Sequence, residues 1–125
     1  MAAADHSFVA HVADLLASSG TVTARCMFGG HGVYLDGLFV GIIADDVFYL
    51  KADAQTEHEF RAAGSSPFSY KRRGNVATLR FWSAPDNAME SPHLMQPWAC
   101  QAVAAALRAK KTGRSRRPGI RKATG

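Results

Sequence analysis

Cysteine is scarce in this chain. Cys26 and Cys100 are the only two among 125 residues. Two cysteines so far apart make no disulfide framework, and neither stands in a C-x-x-C. The plain expectation is two buried thiols in a reducing cytoplasm. Long apolar runs are absent too: none approaches the roughly 20 residues of a membrane span. The opening residues, Met1 to His6, hold neither the basic region nor the apolar core of a signal peptide. The expected setting is therefore cytoplasmic, with no membrane contact. The signatures of common site chemistry are also missing. There is no G-x-S-x-G, no Walker or G-x-G-x-x-G pattern and no H-x-x-x-H. His6, His11, His31, His58 and His93 are scattered, and Cys26 with His31 is an isolated pair rather than a four-ligand box. The expectation is a protein that is not an enzyme and holds no cofactor or metal.

The charge is unevenly placed. Residues 1–107 carry seven Lys or Arg against all ten acids, a net charge of −3, whereas residues 108–125 carry eight Lys or Arg and no acid, a net charge of +8. The high isoelectric point belongs to the tail. The chain divides into one domain over residues 1–109 and a basic, low-complexity segment over 110–125 that is expected to be flexible. Such a tail attracts phosphate backbones weakly and without reading sequence, through Arg114, Arg116, Arg117, Arg121 and Lys122; the plainer reading is a solubilising tail.

What the sequence holds in abundance is strand and turn signal. From Met27 to Asp53, three apolar runs are separated by Asp36-Gly37 and by Asp45-Asp46. Asp-Gly between apolar runs favours a type I′ turn, which needs positive φ at both central residues. The segment therefore reads as a three-stranded antiparallel meander, with strands at 32–35, 38–44 and 47–51. Thr21 to Phe28 is a short extended lead-in or an edge strand. Before it, Phe8, Val12, Leu15 and Leu16 recur at helical spacing over Ser7–Ser18, with Asp5 or Ser7 as cap and Gly20 past the end.

After the meander, Asp53 is placed to cap a helix over Ala54–Ala63 that Gly64 ends. Strands follow at 68–72 and 76–82. Ser91-Pro92 opens a last helix, and Pro97 argues for a break, with the main helix from Pro97 to Ala109. The order helix, three strands, helix, two strands, helix makes an α+β fold with helices on one face of a sheet. Phe39, Ile42, Phe48, Leu50, Phe60, Leu79, Phe81 and Trp98 are the expected core. Strands 38–43 and 47–50 are apolar on both faces. A second protomer is the simplest cover for the face that lacks helices, giving a homodimer; screening by long side chains is the alternative.

Two stretches invite a site. Gly29-Gly30-His31-Gly32 can be an anion cradle, but no helix begins after it, and a tight turn or bulge explains it better. Tyr70, Lys71, Arg72 and Arg73, with Arg80 and Trp82, mix aromatic and basic groups as single-strand binders do. A solvated hairpin edge is the plainer account.

The residues Met27, Phe28, Gly29, Gly30, Gly32, Tyr34, Gly37 and Phe39, then Tyr49 to Asp53 with Lys51 among them, recur in order and spacing in a known family. Phe60, Gly64, Pro67, Phe68, Tyr70, Pro85, Trp98, Ala99 and Ala102 extend the match. Over about residues 8–107 the chain resembles the N-terminal domain of the TfoX/Sxy competence regulators; Pro97 departs from the family pattern. The resemblance implies a two-layer, secretion-chaperone-like fold with a five-stranded antiparallel sheet. It implies a stand-alone domain of that kind, acting as a transcriptional co-regulator linked to competence through a protein partner. A small nucleic-acid-binding protein, using the tail and the 70–82 hairpin, is the competing expectation.

Overall fold

The computed structural model describes residues 4–27, 30–72 and 75–116; within these, the side chains of 4–6, 27, 70–72, 75–79 and 112–116 are left out of the description. Helix α1 spans Ala4–Leu16 and ends in a 3-10 turn at Ala17–Ser19. Asp5 and Ser7 thus lie within the helix rather than before it. Six strands follow in two groups. They are β1 (Val22–Met27), β2 (Gly30–Leu35), β3 (Leu38–Ala44), β4 (Val47–Lys51), β5 (Pro67–Arg72) and β6 (Asn75–Ser83). Helix α2 (Glu57–Ala62) lies between β4 and β5, and α3 (Pro92–Arg116) follows a 3-10 turn at Asp86–Glu90.

All pairings are antiparallel, in the order β1-β2-β3-β4-β6-β5. The sheet has six strands where five were expected. The lead-in forms a full edge strand over Val22–Met27, in register with β2 from Val22 against Leu35 to Met27 against Gly30. Thr21 extends that register: its N–H donates to Asp36 Oδ1 at 2.9 Å, and its carbonyl accepts the Asp36 N–H at 2.8 Å.

Both tight hairpins have the expected backbone. Asp36 and Gly37 sit at φ 50° and 85°, and Asp45 and Asp46 at 51° and 60°. Aspartate tolerates the left-handed region better than most residues, and glycine is free of its penalty. Gly30 is fixed by space rather than by φ, because a side chain there would overlap the Ile43 carbonyl.

The helices cover one face. Val12, Leu15 and Leu16 of α1, Phe60 of α2, and Met95, Ala99, Ala102 and Ala106 of α3 share a core with Val33, Leu35, Val40, Ile43, Phe48, Leu50 and Trp82. The α3 stripe is mostly alanine, so the helix axis lies close to β3 and β4. Leu50, Phe60, Phe48 and Ile42 are fully buried, and Phe81 is buried. Phe39 and Trp98 are half-buried, less than expected. Trp98 leans on Phe60 with ring centroids 5.0 Å apart; Leu79 lies outside the described side chains.

Three further expectations are corrected. Helix α2 starts at Glu57, not Ala54, because residues 54–56 form a turn held by Asp53: its carboxylate accepts the Gln55 N–H, and its carbonyl accepts those of Thr56 and Glu57. Pro97 does not break α3. The carbonyl it cannot bond belongs to His93, one turn back, and His93 is exposed where water can serve it. The Ser91 hydroxyl accepts the Leu94 N–H at 3.2 Å and caps this longer helix, which runs on through Arg116 into the basic segment. Finally, Cys26 and Cys100 are exposed, not buried.

Candidate interaction face

The face without helices is not bare polar sheet. A bulge makes it so. Val33 pairs with Gly41 and Tyr34 with Phe39, leaving Val40 as an extra residue. Val40 and Gly41 then both turn toward the helices, and Phe39 turns away. On that outer side Ile42, Phe68 and Phe81 form a second buried cluster, with Phe39, Ala44 and Tyr49 packed around it. Tyr34 stacks on Phe39 at 5.2 Å and 30°, Phe39 meets Phe81 at 5.3 Å, and Tyr49 meets Phe68 edge-on at 4.9 Å. Two cations lie over this row. The Arg25 guanidinium is 5.5 Å from the Tyr34 ring centre, and Lys51 Nζ is 5.0 Å from that of Phe81. Burial pushes the Lys51 ammonium below its ordinary range, against a smaller opposing pull from Asp53. Burial, and then the nearby Asp45 carboxylate, push the Tyr49 phenol up.

Asp53 belongs to a different structure. Arg108 of α3 grips its carboxylate with both ends, Nε to Oδ2 at 2.6 Å and Nη2 to Oδ1 at 3.0 Å. The Arg108 bond, with help from the Gln55 and Thr56 amides, holds the Asp53 carboxyl below its ordinary range. The pair ties the β4–α2 turn to the last helix. An open hollow of about 410 Å³ beside it is lined by Lys51, Asp53, Arg80 and Arg108. Another of about 420 Å³ lies between α1 and the start of β4, where the His11 Nε2–H donates to the Met89 carbonyl at 2.8 Å. No cluster of three or more potential metal-binding side chains occurs among the described residues. None of the described helices is long and apolar enough to cross a membrane.

The sequence-marked residues therefore scatter. Tyr34, Lys51 and Phe68 meet on the outer face, with Gly32 buried in β2 beside them. Gly30, Asp53, Pro85 and Trp98 serve the fold, and Pro67 is the exposed first residue of β5. Phe28, Gly29, Arg73, Arg117, Arg121 and Lys122 lie outside the described residues, as do the side chains of Met27, Tyr70, Lys71, Arg72, Arg114 and Arg116. Arg25, Phe39, Tyr49 and Phe81 complete the outer row and were not marked as one group. The signal was the alternation of β1, where Arg25 falls on the same side as Tyr34 of the neighbouring strand β2.

This chain matches the model of the TfoX N-terminal domain over residues 14–106. No curated protein matches it. The matched span takes in the end of α1, the whole sheet, α2 and the alanine stripe of α3, so the bulged sheet and its aromatic outer face lie within it. The chain belongs to the TfoX N-terminal domain family.

Proposed function

We infer that this chain is a non-enzymatic regulatory domain that acts on transcription linked to competence, and that it works by binding, with a protein partner among its targets. Membership of the TfoX N-terminal family carries this reading. The His11, Asp53 and Arg108 side chains beside the two larger hollows support it, because they are committed to holding the fold. His11 serves the Met89 carbonyl, and both Asp53 oxygens face Arg108. Transcript profiling of the source cell with and without the gene tests it. The expected result is an altered set of competence transcripts that a copy of the gene restores. An unchanged transcript profile would refute the regulatory reading.

A second reading, binding of nucleic acid, is favoured by one observation. The six strands contain five basic residues, Arg25, Lys51, Lys71, Arg72 and Arg80, and no acid. All ten acids stand in helices and turns. Although residues 1–107 are acidic in sum, the sheet is basic. Retention of the chain on a phosphate-backbone resin that falls steeply with salt is the expected behaviour.

A further inference from the structure

The outer row can be read for its ligand. Tyr34, Phe39 and Phe81 cross the sheet with centroids 5.2 and 5.3 Å apart, and a cation lies over each end ring. Tyr34, Phe39 and Tyr49 are half-buried, so ring surface remains open to solvent above the buried Ile42 and Phe81. No helix residue joins this cluster among the described residues. We propose that this face is a platform for single-stranded nucleic acid, with unpaired bases on Tyr34 and Phe39 and phosphates at Arg25, Lys51 and Lys110. The proposal rests on the second reading above and gives it a place and a strand type.

Charge decides among occupants. A second copy seated face to face would set one cationic row against another of the same sign, and the strands offer no acid to pair Arg25 and Lys51. A polyanion meets both cations. An acidic protein segment would satisfy the cations but leave the rings without planar partners, whereas a strand of bases uses both. A duplex hides its base faces inside the stack, where the open rings cannot reach them. Unpaired bases stack on aromatic side chains whatever their sequence.

The path of the backbone follows from what flanks the row. Phe39, Lys51 and Lys110 line one open groove of about 350 Å³ that leads from the sheet to α3. At the other end of β4, Asp45 stands close enough to Tyr49 to disfavour a phosphate there. The strand thus enters near Arg25, crosses Tyr34 and Phe39, and leaves along the groove past Lys110 toward the basic end of α3.

The test uses the full chain and fluorescence anisotropy with a labelled single strand and a duplex of equal length. The single strand should bind more tightly. Tyr34→Leu keeps the apolar bulk and removes the aromatic face; it should weaken single-strand binding about tenfold and leave duplex binding unchanged. Arg25→Gln should lower the single-strand salt slope by about 0.7, the loss of one phosphate contact. A second measurement needs no variant: a strand carrying iodouracil, irradiated on the unaltered chain, should crosslink to Tyr34 or Phe39. Crosslinks confined to 110–125, with Tyr34→Leu silent and both nucleic acids lost on changing Arg114, Arg116, Arg117, Arg121 and Lys122 to Gln, would overturn the platform and leave nucleic-acid binding standing. Failure of both nucleic acids to bind would overturn both readings. A glutamate-rich peptide that displaces the strand from Tyr34 as well as an unlabelled strand does would assign the face to acidic protein. A dimer that Tyr34→Asp splits would assign it to a second copy; either result refutes the proposal.

Discussion

Gly41→Ala is a small change that the fold should resist strongly. Gly41 follows the bulge residue and faces the helices, and a Cβ there would lie 2.5 Å from Phe48 Cε1, 3.0 Å from Phe48 Cζ and 2.8 Å from the Tyr49 carbonyl oxygen. Phe48 is 2% exposed, with core on every side, and the carbonyl is part of the β3–β4 ladder. Neither neighbour yields cheaply. Forcing extra volume into a packed core costs about 1–3 kcal/mol. For a domain of this size that is a fall in Tm of roughly 4–15 °C. Thermal unfolding followed by circular dichroism reads it. Gly37→Ala supplies the contrast: nothing stands within 4 Å of a Cβ there, and its penalty comes only from φ of +85°. Adding Phe48→Leu separates the two causes. With Gly41→Ala the double variant should be more stable than the sum of the single losses, by about 0.5–3 kcal/mol, because the ring is half of the clash. With Gly37→Ala the losses should simply add. A Gly41→Ala protein that melts with the parent, or that shows no coupling to Phe48, would refute the account of why glycine stands there.

Other outcomes follow from the same geometry. Phe60→Ala removes a fully buried ring that supports Trp98, and chemical denaturation should show a loss of about 3–5 kcal/mol. Asp53 has a depressed folded pKa, so its contribution is present above the unfolded value of about 3.9 and is lost as pH falls through the folded value. The Tm gap between the parent and Asp53→Asn should therefore be widest near neutral pH and close as the medium is acidified below that range; a gap independent of pH would show that the Arg108 pairing contributes nothing. Both thiols should react with a water-soluble disulfide reagent in the folded protein, before any unfolding signal, since Cys26 and Cys100 are exposed.

The parts of this fold that local chemistry dictates were legible in the sequence. Asp36-Gly37 and Asp45-Asp46 announce their turns because few residues accept positive φ, and Ser91-Pro92 announces its helix because cap and first turn are short-range. The start of α2 was misread because Asp53 also organises a turn of its own, and Arg108, whose long side chain reaches back to it from α3, is distant in sequence. Pro97 looked like a break, but the cost of a proline depends on whether the freed carbonyl meets water, which only the packed helix decides. The thiols were assigned to the interior from cysteine's general habit, yet Cys26 stands on an edge strand and Cys100 on the outward side of α3. The outer aromatic row was visible only as apolar excess. Its membership depends on which side each residue takes, and that depends on one unpaired residue in β3.

That residue, Val40, governs more than its own neighbourhood. Strict alternation back from Ile42 would put Phe39 under the helices and Leu38 in the open. The bulge exchanges them. Deleting Val40 would remove the bulge and leave Phe39 opposite Tyr34 on the outer side, whereas pairing the same residues without the bulge would swap the sides of those before it and take the middle ring out of the row that joins Tyr34 to Phe81. The surface chemistry of this domain thus depends on how one residue is accommodated: held as a bulge, Val40 leaves Phe39 in the aromatic exterior, and paired in strict alternation it would turn that ring into the core.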